Sequence, residues 1–320
     1  MSYITAENLT KTFIVRKKRE KGHLLREKSI VQALNGISFS IEKGELVGYI
    51  GPNGAGKSTT VKILSGILTP DNGNVSVDGL VPWKERRKHV GRIGVVFGQR
   101  SQLWWDVPIA DSFSLLKDIY RVPDADFNKR FNELVEALAL EDLLRTPLRL
   151  LSLGQRMRAE LCGSLLHKPG LLFLDEPTIG LDAVSKLALR DFIKKENRDG
   201  TTILLTTHDM EDIAALCPRV MVLGHGNKLF DGTLPDLLAR YDKERVMTVR
   251  YEDCAGLPDL PAGCRLSRDG DAFRIVYDHR KIPTAQIISL LQNAGTIREW
   301  TAQPQNVDHM IADMYREMDL

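Results

Sequence analysis

The stretch Gly51 to Ser58, G-P-N-G-A-G-K-S, stands between a run that reads as a strand, Glu45 to Ile50, and one that reads as a helix, Thr59 to Ile67. Its spacing fits G-x-x-x-x-G-K-[ST], a loop in which glycines let backbone N–H groups curl around a phosphate. Lys57 reaches the outer phosphates and Ser58 can hold magnesium. A helix leaving the loop, with Val61, Ile63, Leu64 and Ile67 apolar, sets the phosphates on its positive N-terminus. The expected nucleotide contacts are therefore Gly51, Asn53, Gly54, Ala55, Gly56, Lys57, Ser58 and Thr59.

Three further strands end in polar residues. Gly170 to Pro177 reads G-L-L-F-L-D-E-P, a fully buried strand closing on two carboxylates. In a phosphate-loop fold Asp175 can hold magnesium, and Glu176 can orient or deprotonate an attacking water. Ile93 to Phe97 runs into Gly98-Gln99, and Thr201 to Thr206 is followed by His208. Ligands of open α/β sheets bind at the carboxyl ends of strands, so Gln99 is a candidate contact for metal or water, and His208 joins Asp175 at the same edge.

The remaining chain divides by rhythm. Tyr3 to Leu9 reads as a short strand ending in Lys11, Thr12 and Phe13, after which the pattern breaks into a basic insertion over 16–28. There Arg16, Lys17, Lys18, Arg19, Lys21, Arg26 and Lys28 face only Glu20 and Glu27, a composition suited to a solvated hairpin tip or to anionic headgroups. Ile37 to Ile41 and Asn74 to Val77 read as strands, whereas Ser101 to His167 takes helical periodicity over Ala110 to Tyr120 and Asp126 to Leu140. Trp104 and Trp105 open that region beside Pro108, in a setting where both cannot easily face inward. In L-L-S-L-G-Q-R-M-R-A-E, Ser152 is placed to cap the next helix, with its hydroxyl and the N–H of Gly154 aimed at an anion.

Beyond Gly180-Leu181-Asp182 come a helix over Ala183 to Glu196, a buried strand over Arg219 to Leu223, a hairpin over Gly224 to Gly232 and a helix over Leu234 to Tyr241. A polar break at Asp242 to Glu244 marks a domain boundary. Strands at Val246 to Tyr251, Cys264 to Ser267, Ala272 to Tyr277 and Thr296 to Thr301, with helices at Thr284 to Asn293 and Val307 to Met318, then make a small α+β module without a catalytic constellation.

A net charge of +2 on 320 residues gives no bulk electrostatic pull toward nucleic acid, and none is expected as a partner. The longest apolar runs fall far short of the ~18 residues a membrane helix needs. The N-terminus lacks the basic start and apolar stretch of a secretory signal, which places the chain on the cytosolic side. Cys162, Cys217, Cys254 and Cys264 show no C-x-x-C pairing and read as reduced bystanders.

Taken together, the phosphate loop, the run Leu151-Ser152-Leu153-Gly154-Gln155 and the strand Leu171 to Pro177 resemble the ATP-binding cassette (ABC) ATPase family over about the first three-quarters of the chain. The resemblance implies an α/β fold: a phosphate-loop NTPase core sheet with an antiparallel β subdomain and a helical subdomain over about 101–168, in a domain over 1–241, followed by the small α+β C-terminal domain over 245–320. It implies ATP and Mg2+ as cofactors, with Ser58, Gln99 and Asp175 at the metal. It makes Phe13 the aromatic that stacks on adenine, Gln99 the link to a membrane partner, His208 the switch at the γ-phosphate, Glu176 the catalytic carboxylate, and Asp182 the aspartate of the dimer-contact loop. Cassettes of this family pair head to tail, so Ser152, Gly154 and Gln155 would act on the nucleotide of a second copy. The third signature position, commonly Gly, is Leu153 here, which must find space near that seam.

The run Q-P-Q-N-V-D-H-M and the segment G-Q-R-S-Q-L-W-W-D-V-P are similar to those of drug, lipid or polysaccharide exporters. The expected protein is the transport-coupled ATPase subunit, peripheral on the cytoplasmic face of the membrane and paired with separately encoded permease subunits. An importer ATPase and a soluble ABC-type ATPase of translation or DNA repair are the alternatives. The soluble class usually carries two cassettes, zinc-binding cysteines or coiled-coil insertions, and none is visible. A non-hydrolysing binding module would tend to have lost Glu176.

Overall fold

The structure, a computed structural model, describes residues 2–17, 27–98, 101–207, 209–241, 244–254 and 259–304. Gln99, His208, residues 18–26 of the basic insertion and the helix expected over 307–318 lie outside the described residues. The chain divides into two compact units, Met1–Leu234 and Pro235–Leu320.

The first unit opens with β1 (Ile4–Lys17) and β2 (Glu27–Ile41), followed by β3 (Leu46–Ile50), α1 (Lys57–Leu64), β4 (Asn72–Val77), α2 (Arg86–Val90) and β5 (Ile93–Phe97). Three helices come next, α3 (Ile109–Tyr120), α4 (Asp124–Ala137) and α5 (Leu153–Leu165). The unit continues through β6 (Leu171–Asp175), α6 (Ala183–Arg198), β7 (Thr202–Thr206), α7 (Met210–Leu216), β8 (Arg219–Gly224) and β9 (Asn227–Thr233). Then follow α8 (Leu234–Tyr241), β10 (Glu244–Cys254), β11 (Arg265–Asp269), β12 (Ala272–Asp278), α9 (Thr284–Gln292) and β13 (Gly295–Pro304).

Among the described residues the strands form three sheets. The central one has the order β5-β6-β7-β3-β8-β9, parallel except for β9, which returns antiparallel to β8. Its inner strands are covered on both faces, which is why β3, β7 and most of β6 read as continuous apolar runs without alternation. The registers Phe97↔Asp175 and Asp175↔Thr206 bring the ends of β5, β6 and β7 level, and Tyr49↔Thr206 adds β3 beside them. The loops that follow these strands therefore open on one edge. A second, antiparallel sheet, β2-β1-β4, contributes Ile4, Leu9, Leu34, Ile37 and Ile41 to the core shared with Tyr49, Ile63 and Phe173.

The second unit holds the sheet β11-β12-β10-β13, antiparallel throughout, with Met247, Val249, Ile275 and Tyr277 buried together with Ile287 and Leu291 of α9. The boundary between the units falls after Leu234, the first residue of α8.

Two differences from the sequence reading have simple causes. The pattern break expected after Phe13 does not end the strand: β1 and β2 stay paired as a ribbon through Ile14↔Ile30 to Lys17↔Glu27. Cross-strand backbone hydrogen bonds sustain this ribbon although Ile14 and Ile30 are 68% and 74% exposed, so amphipathic alternation could not reveal it. Helices α2 and α7 were not anticipated, because five and seven residues give too few turns to show a 3.6-residue period.

Candidate nucleotide site

At the strand-end edge the phosphate loop joins β3 to α1. Helix α1 starts at Gly56, whose left-handed φ of 107° suits glycine, and no side chain caps the helix. A Cβ there would come within 2.5 Å of the Ala33 carbonyl oxygen, because the loop lies against β2. Behind it, buried Thr60 donates to the Gly56 carbonyl at 3.1 Å and accepts from the Tyr49 hydroxyl at 3.1 Å. This buried pair anchors the first turn from below.

Lys57 is buried, and its Nζ donates to the carbonyls of Gly51 at 2.6 Å and Pro52 at 3.2 Å. Burial pulls its pKa below the usual lysine value, while the carboxylates of Glu176 and Asp175 oppose that shift. The sheet register thus sets a cation facing two anions across the loop. Asp175 is held in turn, since Thr206 at the end of β7 donates its hydroxyl to Oδ1. Glu176 adopts a left-handed φ of 56°, fixed by its N–H donating to the Thr206 carbonyl at 2.9 Å. A glutamate in this region is strained and persists only where its surroundings over-determine it.

Phe13, Asn53, Gly54, Gly56, Lys57, Ser58, Thr59, Asp175 and Glu176 line one cavity of about 540 Å³. Of the predicted loop contacts, Gly51 and buried Ala55 shape the turn without lining it. Val31, Ala33, Lys62, Phe97, Gly98 and Ile179 line it as well and were not singled out from sequence. Val31 stands directly opposite Phe13 in the ribbon, a pairing that only the β1–β2 register reveals. Thr206 carried a signal that could have been used, being the polar end of an apolar strand.

Ser152, Gly154, Gln155 and Asp182 do not line this cavity. Ser152 caps α5 as expected and forms a capping box: its Oγ accepts from the Gln155 N–H at 3.3 Å, and its own N–H donates to Gln155 Oε1 at 2.9 Å. Asp182 caps α6 by accepting from the Ser185 N–H at 2.9 Å, a bond that holds its carboxyl below the usual range. Gly154 faces Ser185, and Leu153 lies against Gly180, so the signature residue with the unexpected side chain packs on its own chain's Gly180-Leu181-Asp182 loop.

With this geometry in hand, residues 34–179 match the ABC transporter family. The chain is 35% identical to the linearmycin resistance ATP-binding protein LnrL of Bacillus subtilis (strain 168), an alignment covering 69% of this chain and 70% of that protein. The chain belongs to the ABC transporter family. As its ATP-binding subunit it is an ATPase, converting ATP and water to ADP and phosphate. The daunorubicin resistance ATP-binding protein DrrA3 of Streptomyces coeruleorubidus is 34% identical over 82% of this chain and 84% of its own length. Among solved structures, the dimer of the ATP-binding cassette MJ0796 in a post-hydrolysis state with ADP and Pi superposes with a TM-score of 0.62. It is 27% identical, covering 72% of this chain and 98% of that one.

Within this ABC transporter subunit, Trp104 and Trp105 are 40% and 51% exposed. The Arg156 guanidinium lies 5.1 Å from the centre of the Trp105 ring, which fixes one face of that indole and leaves the remainder to solvent.

Proposed function

We propose that this ABC subunit works as a head-to-tail pair in which each chain's cavity is completed by the other's signature. The carrying observation is a division of labour: Lys57, Ser58, Asp175 and Glu176 share one cavity, and Ser152, Gly154, Gln155 and Asp182 stand outside it. A two-fold arrangement brings both surfaces of one sequence into contact twice. The dimeric form of the MJ0796 cassette supports this reading. Phe13 stacks on the base, Lys57 and the α1 N-terminus hold the outer phosphates, and Glu176 orients the attacking water. Gln99 and His208, which follow β5 and β7 in the sequence, are proposed to act on the same nucleotide.

The hydroxyl of Ser58 and the carboxylate of Asp175 are hard oxygen donors on one wall and fit magnesium. No group of three or more His, Cys, Asp or Glu residues suited to a metal occurs among the described residues, consistent with an ion held largely by phosphates and water. Bound there, magnesium would neutralise charge on the β- and γ-phosphates.

The same reading makes the chain a peripheral subunit at the cytoplasmic face of the membrane. No described helix is long and apolar enough to cross a bilayer, and this reading assigns movement of cargo to separately encoded permease subunits. Trp104 and Trp105 are adjacent exposed aromatics suited to such a partner. The basic composition of 16–28 suits anionic headgroups beside it. Export is favoured over import by likeness to two proteins named for antibiotic resistance, one aligned over most of this chain. The second unit, within the proposed 245–320 domain, then serves interaction or regulation.

Mixing Ser152→Arg chains with Lys57→Ala chains tests the composite site. Hydrolysis should recover to about one competent site per mixed dimer, and no recovery over either variant alone would overturn it. Affinity purification from detergent-solubilised membranes tests the partner. Multi-span proteins should co-purify and be lost with Trp104→Ala/Trp105→Ala, whereas ribosomes or nucleic acid would overturn the transport role.

A further inference from the structure

Two residues beyond Glu176 the chain enters a buried polar cluster that belongs to none of the motifs above. Thr178 is buried, and its hydroxyl donates to Oδ2 of Asp212 on α7. The Asp212 carboxylate is fully buried, and its other oxygen accepts from Nε of Arg190 on α6 at 2.6 Å and lies 2.6 Å from Nη2 of the same guanidinium in an ion pair. Beside them Lys186 of α6 donates to Asp209, the cap of α7. Ion pairs therefore fasten the two helices together, and the Thr178 hydroxyl fastens the turn after β6 to both.

A buried ion pair is a poor device for stability, because desolvation consumes most of the attraction and well-packed apolar residues do as well or better. What such a pair supplies is direction. The bond from Thr178 to Asp212 fixes the turn one residue past Pro177, and this turn must hold Glu176 at its strained left-handed φ. The Glu176 N–H bond to Thr206 restrains the turn on its strand side, and the Ile179 N–H closes the turn onto the Glu176 carbonyl at 3.4 Å. Thr178 adds the side-chain restraint that ties this turn to α7.

We infer that Thr178 and Asp212 are positioning residues that hold Glu176 in line with the nucleotide cavity, an inference that rests on the assignment of Glu176 as the hydrolytic carboxylate. Arg190 holds the Asp212 carboxylate oriented for the bond. The contribution falls on the chemical step and not on nucleotide affinity, because neither Thr178 nor Asp212 lines the cavity.

The test is steady-state hydrolysis by the full-length chain with ATP and magnesium. Thr178→Val keeps the shape of the side chain and removes the hydroxyl; kcat should fall about tenfold with KM for ATP changed less than about twofold. Thr178→Ser restores the hydroxyl and should restore kcat. Should valine not be accommodated, Thr178→Ala removes the same bond and is read in the same way. Wild-type kcat in a folded Val or Ala variant, a loss confined to KM, or a serine variant as slow as the valine one would overturn the inference. Glu176→Gln in the same assay separates the two readings. If it hydrolyses ATP at the wild-type rate, the role of Glu176 itself fails; if it does not, a normal Thr178→Val rate fails the positioning role alone.

Discussion

Helices α1 and α5 both begin beside a glycine, and both starts are proposed to bind an anion, yet they begin in opposite ways. Helix α1 has no side-chain cap, and its first turn opens into a cavity beside a buried lysine. Helix α5 has one of its first-turn N–H groups, that of Gln155, served by its own capping box, in which Ser152 and Gln155 satisfy each other. A helix N-terminus has four N–H groups without intrahelical partners, and whichever acceptor reaches them first determines what else can bind. The phosphate loop is therefore built for a phosphate within its own chain. The signature turn already satisfies the Gln155 N–H from within its own chain.

This contrast can be broken by experiment, beginning with the largest effect. Lys57→Ala removes the cation on which the loop, Asp175 and Glu176 converge, and should lower phosphate release by about 10²–10³-fold in a steady-state assay. A loss below tenfold would mean that the helix N-terminus holds the phosphates without it. Gly56→Ala forces a side chain into a left-handed backbone and against the Ala33 carbonyl, so thermal unfolding should show a loss of about 2–3 kcal/mol.

Ser152→Ala deletes one cap bond of α5, worth about 1 kcal/mol, and should lower the melting temperature by roughly 2–4 °C. Gly154→Ala should have the smallest effect on stability. The tightest contact of a Cβ there is the Ser185 hydroxyl at 3.2 Å, with Leu181 at an ordinary 3.7 Å, and alanine's better helix propensity, worth up to about 1 kcal/mol, offsets it. If Gly154→Ala melted as early as Gly56→Ala, the two helix starts would be equally constrained and the contrast would fail.

Much of the site was legible because its chemistry is local. Gly51 to Ser58 encode their turn by spacing alone, and Asp175 and Glu176 announce themselves as charges at the end of an apolar strand. Ser152 reads as a cap for the same reason, since a hydroxyl before an amphipathic run has only its own first turn to serve. Less legible were the neighbours from elsewhere in the chain. Val31 reaches the cavity through its cross-strand register with Phe13, Ala33 sits at the register shift beside it, and Thr206 reaches Asp175 through parallel pairing of β6 with β7. Leu153 looked like an intrusion at a seam, and its contact with Gly180 depends on how α5 and the loop before α6 pack.

The sequence by itself determined which residues can bind phosphate, carry charge to a strand end and start a helix, because these properties belong to runs of a few consecutive residues. Tertiary structure decided which of them meet. It levelled the ends of β3, β5, β6 and β7 on one edge, left the signature turn outside that edge, and drew Thr178, Arg190 and Asp212 into one buried cluster. The reason is that register and helix packing depend on pairs of residues far apart in sequence, whose energies no single stretch contains.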